Sequence, residues 1–204
     1  LHANQQRSGG SGTQAAAAFK ATQRDTMKHP TGVVLCLTMM ASAITFPALA
    51  ADLRVTMRKA TQDGTSDVLG TITISNSDAG TTFKVALHGL PPGAHGFHVY
   101  ENGTCGPTLL NSVLIPAGAA GGVFDPDGTY KDAGPTGNGH LGDLPVLVVD
   151  AKGVADETLI APRIKDSEVL KGHALIIHIG GDNYSDSPAF LGGGGGRLAC
   201  GVVE

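Results

Sequence analysis

The chain has 204 residues, 41% hydrophobic and 16% charged, with 14 Lys and Arg against 18 Asp and Glu. This composition suits a folded core, and the acidic balance without a basic run excludes nucleic acid and anionic lipid as expected partners. The 30 glycines and 11 prolines, with no Trp, point to a turn-rich chain.

Residues 1–26 are rich in Gln, Ala and Ser, and a Met stands at position 27, so the stretch reads as a non-native or disordered extension. Met27-Lys28-His29 opens a short cationic region, residues 33–46 are apolar, and Ala48-Leu49-Ala50 supplies the small-x-small pattern of signal-peptidase cleavage. The apolar run is shorter than the roughly 20 residues that span a bilayer. Residues 27–50 are expected to be a signal peptide, leaving 51–204 as one domain, periplasmic or secreted and without a membrane anchor. That domain holds 10 Lys and Arg against 17 Asp and Glu, a formal net charge of −7. Cys36 lies in the leader, and the remaining pair, Cys105 and Cys200, reads as one disulfide of an exported protein.

Short apolar-alternating runs then recur at 53–60, 70–75, 81–88, 95–100, 145–150, 175–179 and 197–203. Leu53, Val55 and Met57 alternate with Arg54, Thr56 and Arg58, a period of two that predicts a half-buried strand. Asp-Ala-Lys-Gly at 150–153 predicts a turn joining two strands, and 166–171 is the one helical candidate. Many short strands with turn punctuation predict an all-β sandwich or barrel. Two long irregular stretches, 101–143 and 180–196, carry nearly all the candidate ligands, and loops of that length tend to be functional.

The segments HGFHV at 95–99, GHLGDLP at 139–145, GDNYSD at 181–186 and GGGGGRLACGVV at 192–203 occur in an order and spacing that resemble the bacterial exported copper/zinc superoxide dismutases. The resemblance covers the chain from about residue 51 to its end. It implies an eight-stranded Greek-key β-barrel with two long loops, one around zinc and the disulfide, the other electrostatic. It also implies copper on four histidines, two of them an H-x-H pair, and zinc on three histidines and an aspartate, one histidine bridging the ions.

Three matching positions depart from that pattern. The H-x-H pair corresponds to His98 and Tyr100, the bridge to Val123, and the fourth copper ligand to His178. Residues i and i+2 of a strand face one side, so His98 and Tyr100 project together. Two imidazoles remain for copper, with the Tyr100 phenol as a third donor; Cu(II) favours a fuller nitrogen or oxygen set, while Cu(I) accepts two. For zinc the matches are His140 and Asp143, with Asp132 in place of an imidazole, short of the four closed ligands of a structural site. Asp182 matches the carboxylate that orients histidines of both sites. Arg197 matches the cation that guides superoxide, and it can equally brace the loop near Cys105. His95 matches a bracing histidine, whereas His88 and His173 match no metal position.

Three functions stay open. The first is a copper-binding protein with a degenerate metal site and weak or no superoxide dismutation. The second is an active dismutase converting superoxide to O2 and H2O2. The third is a metal-free barrel with a binding role. Homodimerisation is likewise left open.

Overall fold

The computed structural model describes residues 51–204; the expected leader at 27–50 and the extension at 1–26 lie outside the described residues. Among the described residues, no helix is long and apolar enough to cross a membrane.

The period-two pattern sets the main sheet. Strands β1 (Leu53–Thr61), β2 (Gly64–Ser77) and β3 (Gly80–His88) form an antiparallel meander. In β1, Leu53, Val55 and Met57 are buried while Arg54, Thr56 and Arg58 face solvent. Register carries the layer across: Val55 pairs with Ile72, and Ile72 with Val85. Each such buried aliphatic stabilises the fold by about 1.5–3 kcal/mol. Phe83 and Phe97 meet edge to face at 5.9 Å inside this core.

The remaining strands are β4 (Gly93–His95), β5 (Phe97–Tyr100), β6 (Thr108–Leu110), β7 (Val113–Ile115), β8 (Leu147–Val149), β9 (Val154–Ala161), β10 (Ala174–His178) and β11 (Arg197–Val202). Seven strands form one sheet in the order β5-β10-β11-β1-β2-β3-β9. Gly96 interrupts a strand whose first half, β4, pairs with β8 and whose second half, β5, pairs with β10. Strand β8 runs through the turn at 150–153 into β9, which pairs with β3. With β4 and β5 taken as one interrupted strand, the circuit is the expected eight-stranded Greek-key barrel.

Three local differences from the sequence expectations appear. Strand β2 is much longer than 70–75 because it pairs with β1 from Gly64 to Ile74 and with β3 from Gly70 to Ser77. The helical candidate is only a 3₁₀ turn, Ser167–Leu170, capped by the Asp166 carboxylate accepting from the Glu168 amide and followed by Gly172 at φ 79°. The loop after β5 contains the β6–β7 hairpin, turning through Asn111 and Ser112 at φ 50° and 65°. Cys105 and Cys200 are disulfide-bonded, with Cα atoms 5.7 Å apart, which ties this loop to β11. Closing a chain segment of that length stabilises by about 4–5 kcal/mol in the chain-entropy model.

Candidate metal centre

Alternation along β5 divides its four buried residues between two cores. Phe97 and Val99 belong to the barrel interior. Tyr100 belongs to a second, smaller cluster with Ala117, Ala120, Val123, Ala174, Ile176 and Cys200, against which Cys105 and Leu191 pack. His98 and Tyr100 face the long loop, and bridges from His98 to Asp143 and from Tyr100 to Val123 hold that loop on the strand.

The residues matched to copper lie together. The His98 and His178 rings stand edge to face with centroids 5.4 Å apart. The Nδ1 atom of His178 lies 3.0 Å from the Gly195 carbonyl, and its Nε2 lies 3.0 Å from the Tyr100 hydroxyl. A carbonyl only accepts, so Nδ1 carries the proton, Nε2 accepts, and the phenol donates. Burial, reinforced by His98 and Arg197, pushes His178 down to about 4, so the neutral ring persists at neutral pH. Burial also raises the Tyr100 phenol, only partly offset by the Arg197 guanidinium, so Tyr100 stays protonated and able to donate. Tyr100 and Val123 are 1% and 5% exposed. Arg197 places its guanidinium carbon 4.4 Å from the centre of the Tyr100 ring while donating to the Ala117 and Gly121 carbonyls. The brace is therefore present, and the Tyr100 ring covers one face of the cation.

The residues matched to zinc have a different character. His140 Nδ1 lies 3.2 Å from Asp143 Oδ1, and His98 Nδ1 lies 3.6 Å from the same oxygen. His98 Nε2 is 3.4 Å from Asp182 Oδ2. Three buried atoms here have no hydrogen-bond partner: His98 Nδ1, Asp132 Oδ2 and Asp182 Oδ2. Burial and the facing Asp182 and Asp143 carboxylates raise Asp132 to about 6. Gly192, at φ 65°, brings its backbone against this group; any side chain there would collide with Asp182. Among the described residues, no three His, Cys, Asp or Glu side chains converge so as to hold a metal ion.

Several supports come from residues outside the metal-ligand set. Arg163 donates to the His140 and Gly139 carbonyls, both at 2.8 Å. Asp186 accepts from the Asp132 and Leu191 amides, joining the two loops. His173 reaches the Tyr100 carbonyl through Nδ1 and stacks on Phe124 at 4.2 Å. His95 braces as expected: its two nitrogens lie 2.8 Å from the His178 and Pro91 carbonyls. The Asp125 carboxyl sits below its ordinary value: its slight burial works the other way, but hydrogen bonds from the Tyr130 amide and Thr129 outweigh it. No local pattern flags Arg163, whose partners are distant in sequence, and the 181–186 segment that contains Asp186 does not reveal its bond to the Asp132 amide, 54 residues away.

The sequence profile of the copper/zinc superoxide dismutase family matches residues 68–203. A copper-zinc superoxide dismutase of Salmonella typhimurium is 47% identical over 170 residues, covering 83% of this chain and 98% of that protein. The Brucella abortus enzyme is 48% identical over 159 residues, covering 78% and 92%. Among solved structures, the copper/zinc superoxide dismutase of Brucella abortus superposes with a TM-score of 0.75 at 47% identity, covering 76% of this chain and all of that one. A superoxide-dismutase-like protein of Bacillus subtilis, solved as a double mutant, superposes with a TM-score of 0.56 at 29% identity, covering 73% and 95%.

Proposed function

The chain belongs to the copper/zinc superoxide dismutase family, and from that premise we propose that it is an exported member with a degenerate metal site and weak or no superoxide dismutation. The mature protein in this reading is 51–204, released to the periplasm or beyond after removal of 27–50. Bound to a relative with a full ligand set, copper supplies the redox cycling that dismutation needs.

The observation that carries the reading is the closed hydrogen bond from Tyr100 to His178 Nε2, set in an apolar cluster with Val123. The lone pair that His178 would offer copper is already used, and Val123 has none to offer. Redox cycling between Cu(II) and Cu(I) needs a donor set that serves both states, and these residues do not fit it. Any copper held here rests on His98 Nδ1, and on His178 only after Tyr100 gives up its hydrogen bond. The zinc position is one donor short: Val123 supplies none where the bridging imidazole would stand, which leaves His140, Asp143 and the Asp132 carboxylate, fewer than the four closed ligands of a structural site. Arg197, stacked on the Tyr100 ring, acts in this reading as a brace rather than a superoxide guide.

The test is copper and zinc content of protein expressed in the periplasm under metal-replete conditions, measured alongside direct superoxide decay. The expected result is substoichiometric metal and decay close to the uncatalysed rate. Copper with fast decay would overturn the proposal.

A further inference from the structure

A cavity of about 350 Å³ opens above Val123, within the size range of small-molecule sites. Val123 and Leu191 form its apolar wall, both belonging to or packed on the small cluster around Tyr100. Tyr130 and Phe190 also line it, 85% and 72% exposed, two large aromatic side chains left in solvent at one opening. The charged lining residues are the carboxylates Glu101 and Asp125. None of the lining residues is Lys or Arg, and the imidazole of His140 is turned toward Asp143 through Nδ1. Asp125 is fixed by the Thr129 hydroxyl and the Tyr130 amide, and Glu101 accepts from the Gly122 amide. Both carboxylates are thereby held in place in the same cavity lining as the two aromatic side chains.

This arrangement has the wrong sign for an anion such as superoxide. Aromatic faces carry negative charge density and attract cations, most strongly where carboxylates add to the field. We propose that the cavity binds a small organic cation with an apolar or aromatic body, of the quaternary ammonium class. The inference rests on the reading that dismutation is weak or absent, because it gives the space over the former bridging position to a different ligand. Val123 and Leu191 receive the apolar body, Tyr130 and Phe190 flank the charged head, and Glu101 and Asp125 neutralise it.

The probes are benzyltrimethylammonium, neutral benzyl alcohol and anionic benzenesulfonate, each titrated into the purified protein and followed by amide shifts. We expect saturable shifts confined to Gly122, Val123, Tyr130 and Leu191, with the ammonium at least tenfold tighter than the alcohol and no saturation by the sulfonate. Glu101→Gln and Phe190→Ala should each weaken the ammonium at least threefold; Asp125 is left intact because it holds the turn to Tyr130. Equal affinity for the sulfonate, shifts elsewhere on the barrel, or unchanged affinity in both variants would overturn the inference. Superoxide decay on the same sample separates the two readings. Fast copper-dependent decay removes the proposed function, while absent cation binding in an inert protein removes only this inference.

Discussion

The residues matched to copper and those matched to zinc differ in how their surroundings treat them. On the copper side, Tyr100 and Val123 are packed into an apolar cluster, and the polar atoms there are paired: the phenol with His178, and Arg197 with two carbonyls. Toward the zinc side, Asp132 and Asp182 are left with unpartnered buried oxygens, and the copper-matched His98 that faces Asp143 and Asp182 also keeps an unpartnered nitrogen. Buried polar atoms without partners are costly, whereas an apolar replacement of similar shape can be neutral or stabilising. In the proposed reading the Tyr100–Val123 side is packed as core, and the Asp132–Asp182 side is a polar site missing its counter-charge. Substitutions should therefore destabilise one half and relieve the other.

The largest effect should come from restoring both halves together. Tyr100→His, Val123→His and Asp132→His singly should change superoxide decay little, because each leaves ligands missing. The triple variant should bind copper and zinc and gain activity by orders of magnitude, the non-additivity expected of groups that act as a unit. Steady-state decay assays on all four proteins check this. Next in size, Tyr100→Ala should destabilise by about 3–5 kcal/mol, the cost of emptying a packed aromatic site. Urea unfolding midpoints measure it.

The zinc half should respond with the other sign. Asp132 is raised to about 6. The folded protein therefore disfavours its charged form, and the penalty is full above pH 6 and relieved as pH falls toward 4. Asp132→Asn should stabilise by about 1–2 kcal/mol at pH 7, with the gain fading to nothing near pH 4. His178, held neutral with its value near 4, works oppositely: it costs stability as pH falls from about 6.5 to 4. With the Asp132 contribution removed, the variant should lose stability more steeply than wild type across pH 6 to 4. Urea unfolding at pH 7.5, 6 and 4.5 separates the two. The smallest effect, about 1 kcal/mol, belongs to Tyr100→Phe, which removes one hydrogen bond to a buried nitrogen and keeps the packing.

Much of this molecule could be read from its residues in order. Strands β1 and β3 were legible because one face is buried and the other wet, so alternation survives in the sequence. Strand β5 falls within the 95–100 run, but its burial does not alternate, since its two faces pack on two different cores. The β6–β7 hairpin was missed because its strands are only three residues long and turn through Asn-Ser, a weaker signal than Asn-Gly. The positions of Tyr100, Val123 and Asp132 were legible as departures from a ligand pattern. What the pattern could not convey was that Tyr100 and Val123 share a cluster with the disulfide, or that Asp132 faces Asp182. Both depend on contacts between loops far apart in the chain.

The central claim is that Tyr100 closes the copper position by donating to His178, and it is tested most directly by the ring nitrogens of His178 in a long-range ¹H–¹⁵N correlation spectrum. The account predicts a neutral ring protonated at Nδ1, with Nε2 as acceptor, and signals that survive an equimolar addition of Cu(II). Selective loss of the His178 signals at equimolar Cu(II), with the Tyr100→Phe variant behaving identically, would contradict it.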